Sequence, residues 1–283
     1  MTKFDLDDDR ARLLSRAVDV LTGFDEVVAI GLSGSAANGA TDDLSDLDIC
    51  VFADPDLPEP SLRRVRIESG GVGKIAYFDV DFIGSPSRGD GVSLHGKVCD
   101  FNWMTVAGVT SFLESLFVDF DCDEFAPGGL LKIKDVHDPQ GVIKTLQEAV
   151  PEYPSERAVH RIEKSISAAR FSLYTLRWLE KAAARNDYFS FLKFQYELLD
   201  NFFTALYAMN RQWYCDEKRL VENIDKFAHA PSQAQARLTQ VIMHSGKCSS
   251  LSESLKELKA LFAELACLSR KMYPELELPT EWN

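Results

Sequence analysis

Asp46 and Asp48 stand two residues apart in "LSDLDICVF", flanked by apolar residues that read as a strand. Successive side chains of a strand point to opposite faces, so both carboxylates share one side while Leu47 and Ile49 take the other. Two like charges on one face resist ionising together, and burial raises the cost, so a cation is the natural compensation. Mg²⁺ suits such a pair, because it takes one or two carboxylates and completes its shell with water and phosphate oxygens. The phosphate end lies just upstream in "GLSGSAANG" (Gly31–Gly39). Gly34 lets the backbone approach a ligand closely, Ser33 and Ser35 offer hydroxyls, and backbone N–H groups in such a turn cradle phosphate. The Gly-Lys-Ser/Thr element of a P-loop is absent, so this is a different arrangement for the same charge problem.

The elements that must position these residues are short. Apolar runs at Glu26–Ile30, Leu47–Phe52, Ile75–Ile83 and Lys97–Val106 read as strands, with helices at Asp8–Leu21 and Val106–Phe117 and a loop over Gly84–Gly96. After "PEYP" (Pro151–Pro154) the pattern turns helical, over Ser155–Ala184, Tyr188–Tyr214, Cys215–Phe227, Pro231–His244 and Ser249–Met272. Two domains follow, an α/β domain over 1–150 and an all-α helical domain over 151–283. In the long helix, Leu192, Tyr196, Leu199, Phe203 and Leu206 form an apolar stripe. Asp200, Tyr207 and Arg211 run along its edge with Asn210 near its middle. They either bond each other or a neighbouring helix, or face a cleft between the two domains.

Charge separates the halves. Residues 1–150 hold 13 Lys and Arg against 27 Asp and Glu, and residues 151–283 hold 18 against 17. The first half therefore repels nucleic acid, whose binding depends on phosphate neutralisation by Lys and Arg, and attracts cations. The six cysteines show no C-x-x-C pair and no zinc spacing, and read as reduced thiols. The acidic start "MTKFDLDDDRARLL" lacks the basic and apolar regions of a signal peptide, and no run reaches the length of a membrane span. The expectation is a cytoplasmic protein without membrane partners.

Gly34-Ser35, ten intervening residues and then Asp46-Leu47-Asp48 resembles the signature of the DNA polymerase beta-like nucleotidyltransferase superfamily. "LHGKVCDFNWMTV", "VHDPQGVIKTL", "VPEYP" and "FFTALYAMNRQWYCDEKRL" are similar to the bacterial branch in which this domain precedes a helical one, which includes aminoglycoside and lincosamide nucleotidyltransferases. The resemblance implies a mixed sheet with flanking helices in the first domain and a helical bundle in the second. It implies transfer of a nucleoside monophosphate to a hydroxyl, with ATP as donor and a pair of Mg²⁺ ions as cofactor. It also implies a third carboxylate on a later strand, as metal ligand or general base near the acceptor hydroxyl. Asp100 in "KVCDFNW" is the first choice; Asp81 and then Asp79 in "AYFDVDFIG" obey the same local rule.

The remaining candidates each carry two readings. Arg63, Arg64 and Arg66 either neutralise a triphosphate or form a solvated face. Lys218 and Arg219 either reach phosphate from the helical half or pair with Glu217 and Glu222. His95 reads as an exposed loop residue. The implied partners are a nucleoside triphosphate and a small, cationic acceptor, an antibiotic among the candidates. The rival readings are a protein adenylyltransferase and a catalytically silent binding or antitoxin module.

Overall fold

The computed structural model describes residues 4, 6–39, 41–43, 45–81, 87–94, 97–122, 125–171, 175–214, 220–246 and 251–278. The chain divides into two compact units, Met1–Pro151 and Glu152–Asn283. The first is built from α1 (Asp8–Leu21), β1 (Val27–Leu32), α2 (Gly34–Ala37), β2 (Leu47–Ala53), α3 (Pro60–Ser69), β3 (Lys74–Asp81), β4 (Ser87–Leu94), β5 (Lys97–Thr105), α4 (Val106–Ser115), α5 (Phe125–Leu130), β6 (Lys134–His137) and α6 (Val142–Ala149). Its six strands form one mixed sheet in the order β3-β4-β5-β2-β1-β6. Only the central β2–β5 pair among them is parallel.

Strand alternation sorts the two faces of the sheet. Leu47, Ile49 and Val51 of β2 and Cys99, Phe101 and Trp103 of β5 join Leu13, Leu14, Ala17 and Leu21 of α1 and Ile67 of α3 in one core. The other face carries Asp48, Cys50, Asp100 and Asn102, and is partly covered by α4, α5 and α6. Gly31 of β1 belongs to this second face, where an added Cβ would lie 2.3 Å from Ile133 Cγ2 and 3.1 Å from Ile143 Cδ1.

The stretch read as a loop over Gly84–Gly96 contains a full strand, β4, between β3 and β5. Its Ser and Gly composition disguised it, and tertiary contacts supply the reason for it. Gly91 has no side chain because the Tyr77 ring lies over it, 2.2 Å from where a Cβ would stand. Asp90 is buried and meets the equally buried Arg63 of α3, with Arg63 Nε 3.1 Å from Asp90 Oδ2. Arg63 also bonds Asp79 at 2.8 Å and lies 5.1 Å from the Trp103 ring. Burial pushes the Asp90 carboxyl above the ordinary aspartate range, against the pull of the Asp79 amide and the Arg63 guanidinium. Arg63 is therefore neither on a solvated face nor open to a triphosphate. Arg64 and Arg66 lie over the Phe78 and Phe24 rings.

A second buried cation holds the approach to β2. Asp7 caps α1 by accepting from the Arg10 amide at 2.8 Å, which, ahead of the pair's mutual attraction, lowers its pKa. The Arg10 guanidinium pairs with the same carboxylate and donates to the carbonyls of Asp42, at 2.7 Å, and Ser45, at 2.6 Å. Lys97 Nζ donates to the Asp43 carbonyl at 2.6 Å. The residues before Asp46 are thus tied to α1 and to the start of β5.

The second unit is all-helical: α7 (Ser155–Phe171), α8 (Thr175–Arg185), α9 (Tyr188–Met209), α10 (Leu220–Asn223), a 3-10 turn at Ile224–Lys226, α11 (Ala234–Ser245) and α12 (Leu251–Met272). The helix expected over Ser155–Ala184 is two helices, and the one expected over Cys215–Phe227 is short where it is described. In α9 the buried register at its N-terminal half is Phe191, Gln195, Leu198 and Phe202, while Leu192 and Tyr196 are exposed. The same four-and-three spacing recurs one residue apart, and Gln195 hid the buried copy. Its amide is satisfied inside, 3.4 Å from both the Val241 carbonyl and Ser254 Oγ. None of the described helices is long and apolar enough to cross a membrane.

Two outcomes follow from the buried cations. Arg63→Met leaves Asp90 buried without its cation and should cost about 3–5 kcal/mol in urea unfolding of the first unit. Arg64→Met, at an exposed position, should stay within about 0.5 kcal/mol; equal losses would remove the Arg63–Asp90 pair as the anchor of β4. Arg10→Met should speed amide exchange at Ser45 to Leu47 well beyond that in β5, and unchanged exchange there would show that Arg10 does not hold this segment.

Candidate active site

The ladder between β2 and β5 pairs Leu47 with Cys99 and Asp48 with Asp100. The two carboxylates are thus at one height, on one face, on strands about 4.8 Å apart. Both are half-buried. Asp46 lies outside the strand, directly before β2, and is exposed. The picture of two acids inside a buried strand is corrected accordingly: they sit at the N-terminal end of β2, within reach of water, where ionisation is far less costly.

The Gly-Ser turn closes against this end. β1 stops at Leu32, and the Ser33 amide donates to the Asp48 carbonyl at 2.9 Å. Gly34 follows with φ +64°, and a Cβ on it would stand 2.0 Å from Asp48 Oδ2. The position needs glycine twice over, for its left-handed backbone and for the carboxylate resting against its Cα. Ser33 turns its hydroxyl inward, donating to the Asp48 carbonyl at 3.4 Å and accepting from the Cys50 thiol at 3.5 Å. Burial pushes that thiol up to about 11. Ser35 sits half-buried in the single turn of α2.

Asp100 has a partner that periodicity alone does not disclose. The Tyr77 hydroxyl donates to Asp100 Oδ1 at 2.8 Å, its ring crossing β4 at Gly91. Register explains the reach: Tyr77 pairs with Gly91, and Gly91 pairs with Asp100. Burial first, then the hydrogen bond and charge of Asp100, keeps the phenol protonated far above its usual range. Tyr77, Gly91, Asp100 and Asp48 make one row across the sheet, and Gly34 packs against the Asp48 end of it. A tyrosine facing a glycine two strands from an acid is visible in the sequence only once the strand order is known.

The other acids considered for the third position lie elsewhere. Asp79, with φ 53°, bonds Arg63 and lies 3.3 Å from Arg88, and Asp81 lies 4.0 Å from Arg88 and is exposed. The register brings neither beside Asp48. Among the described residues no three His, Cys, Asp or Glu side chains gather closely enough to cage a metal ion. Asp48 and Asp100 offer the smaller donor set that suits a hard cation completing its shell with water and substrate phosphate.

Lys218, Arg219 and His95 lie outside the described residues. In the second unit, Tyr207 is buried between the Tyr214 and Phe227 rings, at 4.9 and 4.8 Å. Arg211 donates to the Tyr153 carbonyl at 2.9 and 2.7 Å, and Asn210 exchanges hydrogen bonds with the His229 backbone. These residues hold the end of α9, as the packing alternative has it; Asp200 and Arg211 are exposed, Asn210 is half-buried and Tyr207 is buried.

No curated protein sequence matches the chain. A nucleotidyltransferase-like protein from Exiguobacterium sibiricum 255-15 is similar in structure, with 9% identity, 93% of this chain and 78% of that chain covered, and a TM-score of 0.45. The family model described as "Nucleotidyltransferase domain" matches residues 14–95, from within α1 through β4, a span that contains the Gly-Ser turn, Asp46 and Asp48.

Proposed function

We propose that the chain transfers a nucleoside monophosphate, AMP from ATP in the first instance, to a hydroxyl of a small-molecule acceptor. The observation that carries this reading is the pairing of Asp48 with Asp100 against the Gly34 turn, within and just beyond the segment matched to the nucleotidyltransferase domain. The acceptor oxygen bonds to the α-phosphorus, the bond from that phosphorus to the bridging oxygen breaks, and pyrophosphate leaves. The Asp100 carboxylate, oriented at Oδ1 by Tyr77, receives the hydroxyl proton. Asp48 and Asp100 would hold Mg²⁺, with Asp46 as the further acid that the resemblance implies, and the ion when bound supplies positive charge against the triphosphate. Gly34 keeps the Asp48 carboxylate and the turn in contact, so that the donor phosphates meet backbone N–H groups and the acids together. ATP as donor and an aminoglycoside-like or lincosamide-like acceptor rest on the resemblance. The acid excess of residues 1–150 favours a small cation over a nucleic acid as acceptor.

The test is transfer of label from α-labelled ATP, with Mg²⁺, across amino-sugars, lincosamides, nucleosides and polyols. Label in a small-molecule product supports the reading; label only on protein or RNA, or no pyrophosphate release with any acceptor, sinks it. Asp48→Asn should remove the Mg²⁺ dependence of ATP binding. It should also raise the metal-free melting temperature, because like charges facing each other across strands repel. Asp100→Asn should lower the transfer rate by about 10²-fold or more while ATP still binds. Tyr77→Phe should cost about 10–100-fold in activity or Mg²⁺ affinity, as expected for a group that orients a ligand. If Tyr77→Phe matches the parent in both, the tyrosine only packs against Gly91.

A further inference from the structure

One pleat beyond the acid row, the same face of the sheet floors a cavity of about 160 Å³. Cys50 and Asn102 form the floor, each two residues along its strand from Asp48 and Asp100 and paired with the other in the ladder. Val109 and Leu113 of α4, with Leu130 and Ile133, form the walls. Two residues of strand span about 7 Å, so the cavity is within one small molecule's length of the carboxylates. Ser33, which ties the Gly-Ser turn to Asp48, also lines it. Among the described residues its lining holds no charged side chain.

The volume selects the occupant. A cavity of about 150 Å³ with apolar walls takes one benzene-sized ring. A nucleobase is as flat, but its edge carries several hydrogen-bonding groups. Ser33, Ser87 and Asn102 are outnumbered in the lining by apolar residues such as Val109, Leu113, Leu130 and Ile133, which would leave such groups unpaired. The floor continues both strands, and Asn102 stands two residues from Asp100, the acid proposed to take the acceptor's proton. The geometry points to a seat for an apolar, ring-sized group of the acceptor, which is then an amphipathic molecule with its reacting hydroxyl about 7 Å from that ring. This assignment rests on the nucleotidyl-transfer reading.

The experiment uses the full chain with labelled Met, Val, Leu and Ile methyl groups, titrated with phenol, with glucosamine as the comparison, and repeated in saturating Mg-ATP. Phenol should give saturable shifts at Met104, Val109, Leu113, Leu130 and Ile133, glucosamine should give none there, and Mg-ATP should leave the phenol shifts in place. Gly129→Leu should weaken phenol binding at least tenfold; Gly129 lines the cavity and a Cβ on it meets no atom within 4 Å. Ala126→Phe fills the same space from the preceding turn, in case the first substitution unfolds α5. No saturable shift, equal shifts with glucosamine, or indifference to both fillings overturns the seat. Displacement of phenol by Mg-ATP assigns the ring site to the donor and overturns the acceptor assignment. Failure of phenol alone leaves the transfer reading standing, whereas failure of ATP to bind removes that reading and the acceptor assignment with it.

Discussion

Two carboxylates side by side on neighbouring strands repel, and the first unit is organised around that repulsion. The parallel register of β2 and β5 puts Asp48 next to Asp100, so the sheet carries a local excess of negative charge at its centre. A tyrosine hydroxyl donates to one acid and a glycine packs against the other. The pair therefore carries a demand for positive charge, which a bound cation would help to meet. That demand, more than any single residue type, separates this arrangement from an ordinary sheet surface.

Cations are instead used where they hold backbone. Arg63 is buried against Asp90 and Asp79, fixing the β3–β4 edge, and Arg10 is buried against the carbonyls that precede Asp46. Both work from helices on the face opposite the carboxylates. The two buried arginines thus shape the loop and strand that carry the acids, while the face where substrate is proposed to bind carries Asp48, Asp100 and a cavity whose described lining is uncharged.

Much of this was legible in the sequence, for identifiable reasons. α1 and β5 announce themselves by strong periodicity, and the Gly-Ser turn followed by Asp-x-Asp pointed to a paired-acid site because few local structures need both. The strand β4 was not legible, since Gly89, Asp90 and Gly91 look like loop residues until Tyr77 and Arg63 are seen to require them. Arg63 itself reads as a surface residue, and only its partner's burial reveals otherwise. In α9, two overlapping stripes fit the same spacing, and the choice between them lies in Gln195, whose partners sit about fifty residues away in sequence.

The parallel pairing has a further consequence for the order of folding. Asp48 and Asp100 become neighbours only after α3, β3 and β4 have been laid down between them, because a parallel pair needs a crossover. Closing so long an excursion is entropically costly and non-local contacts form slowly. The hairpin of β3 with β4 and β5 can assemble from adjacent segments first, presenting Tyr77 and Asp100 as a finished edge. β2 then docks against that edge, and the mutual repulsion of the two acids is met at the last step, when the hydrophobic side of the same strand is already driving it home.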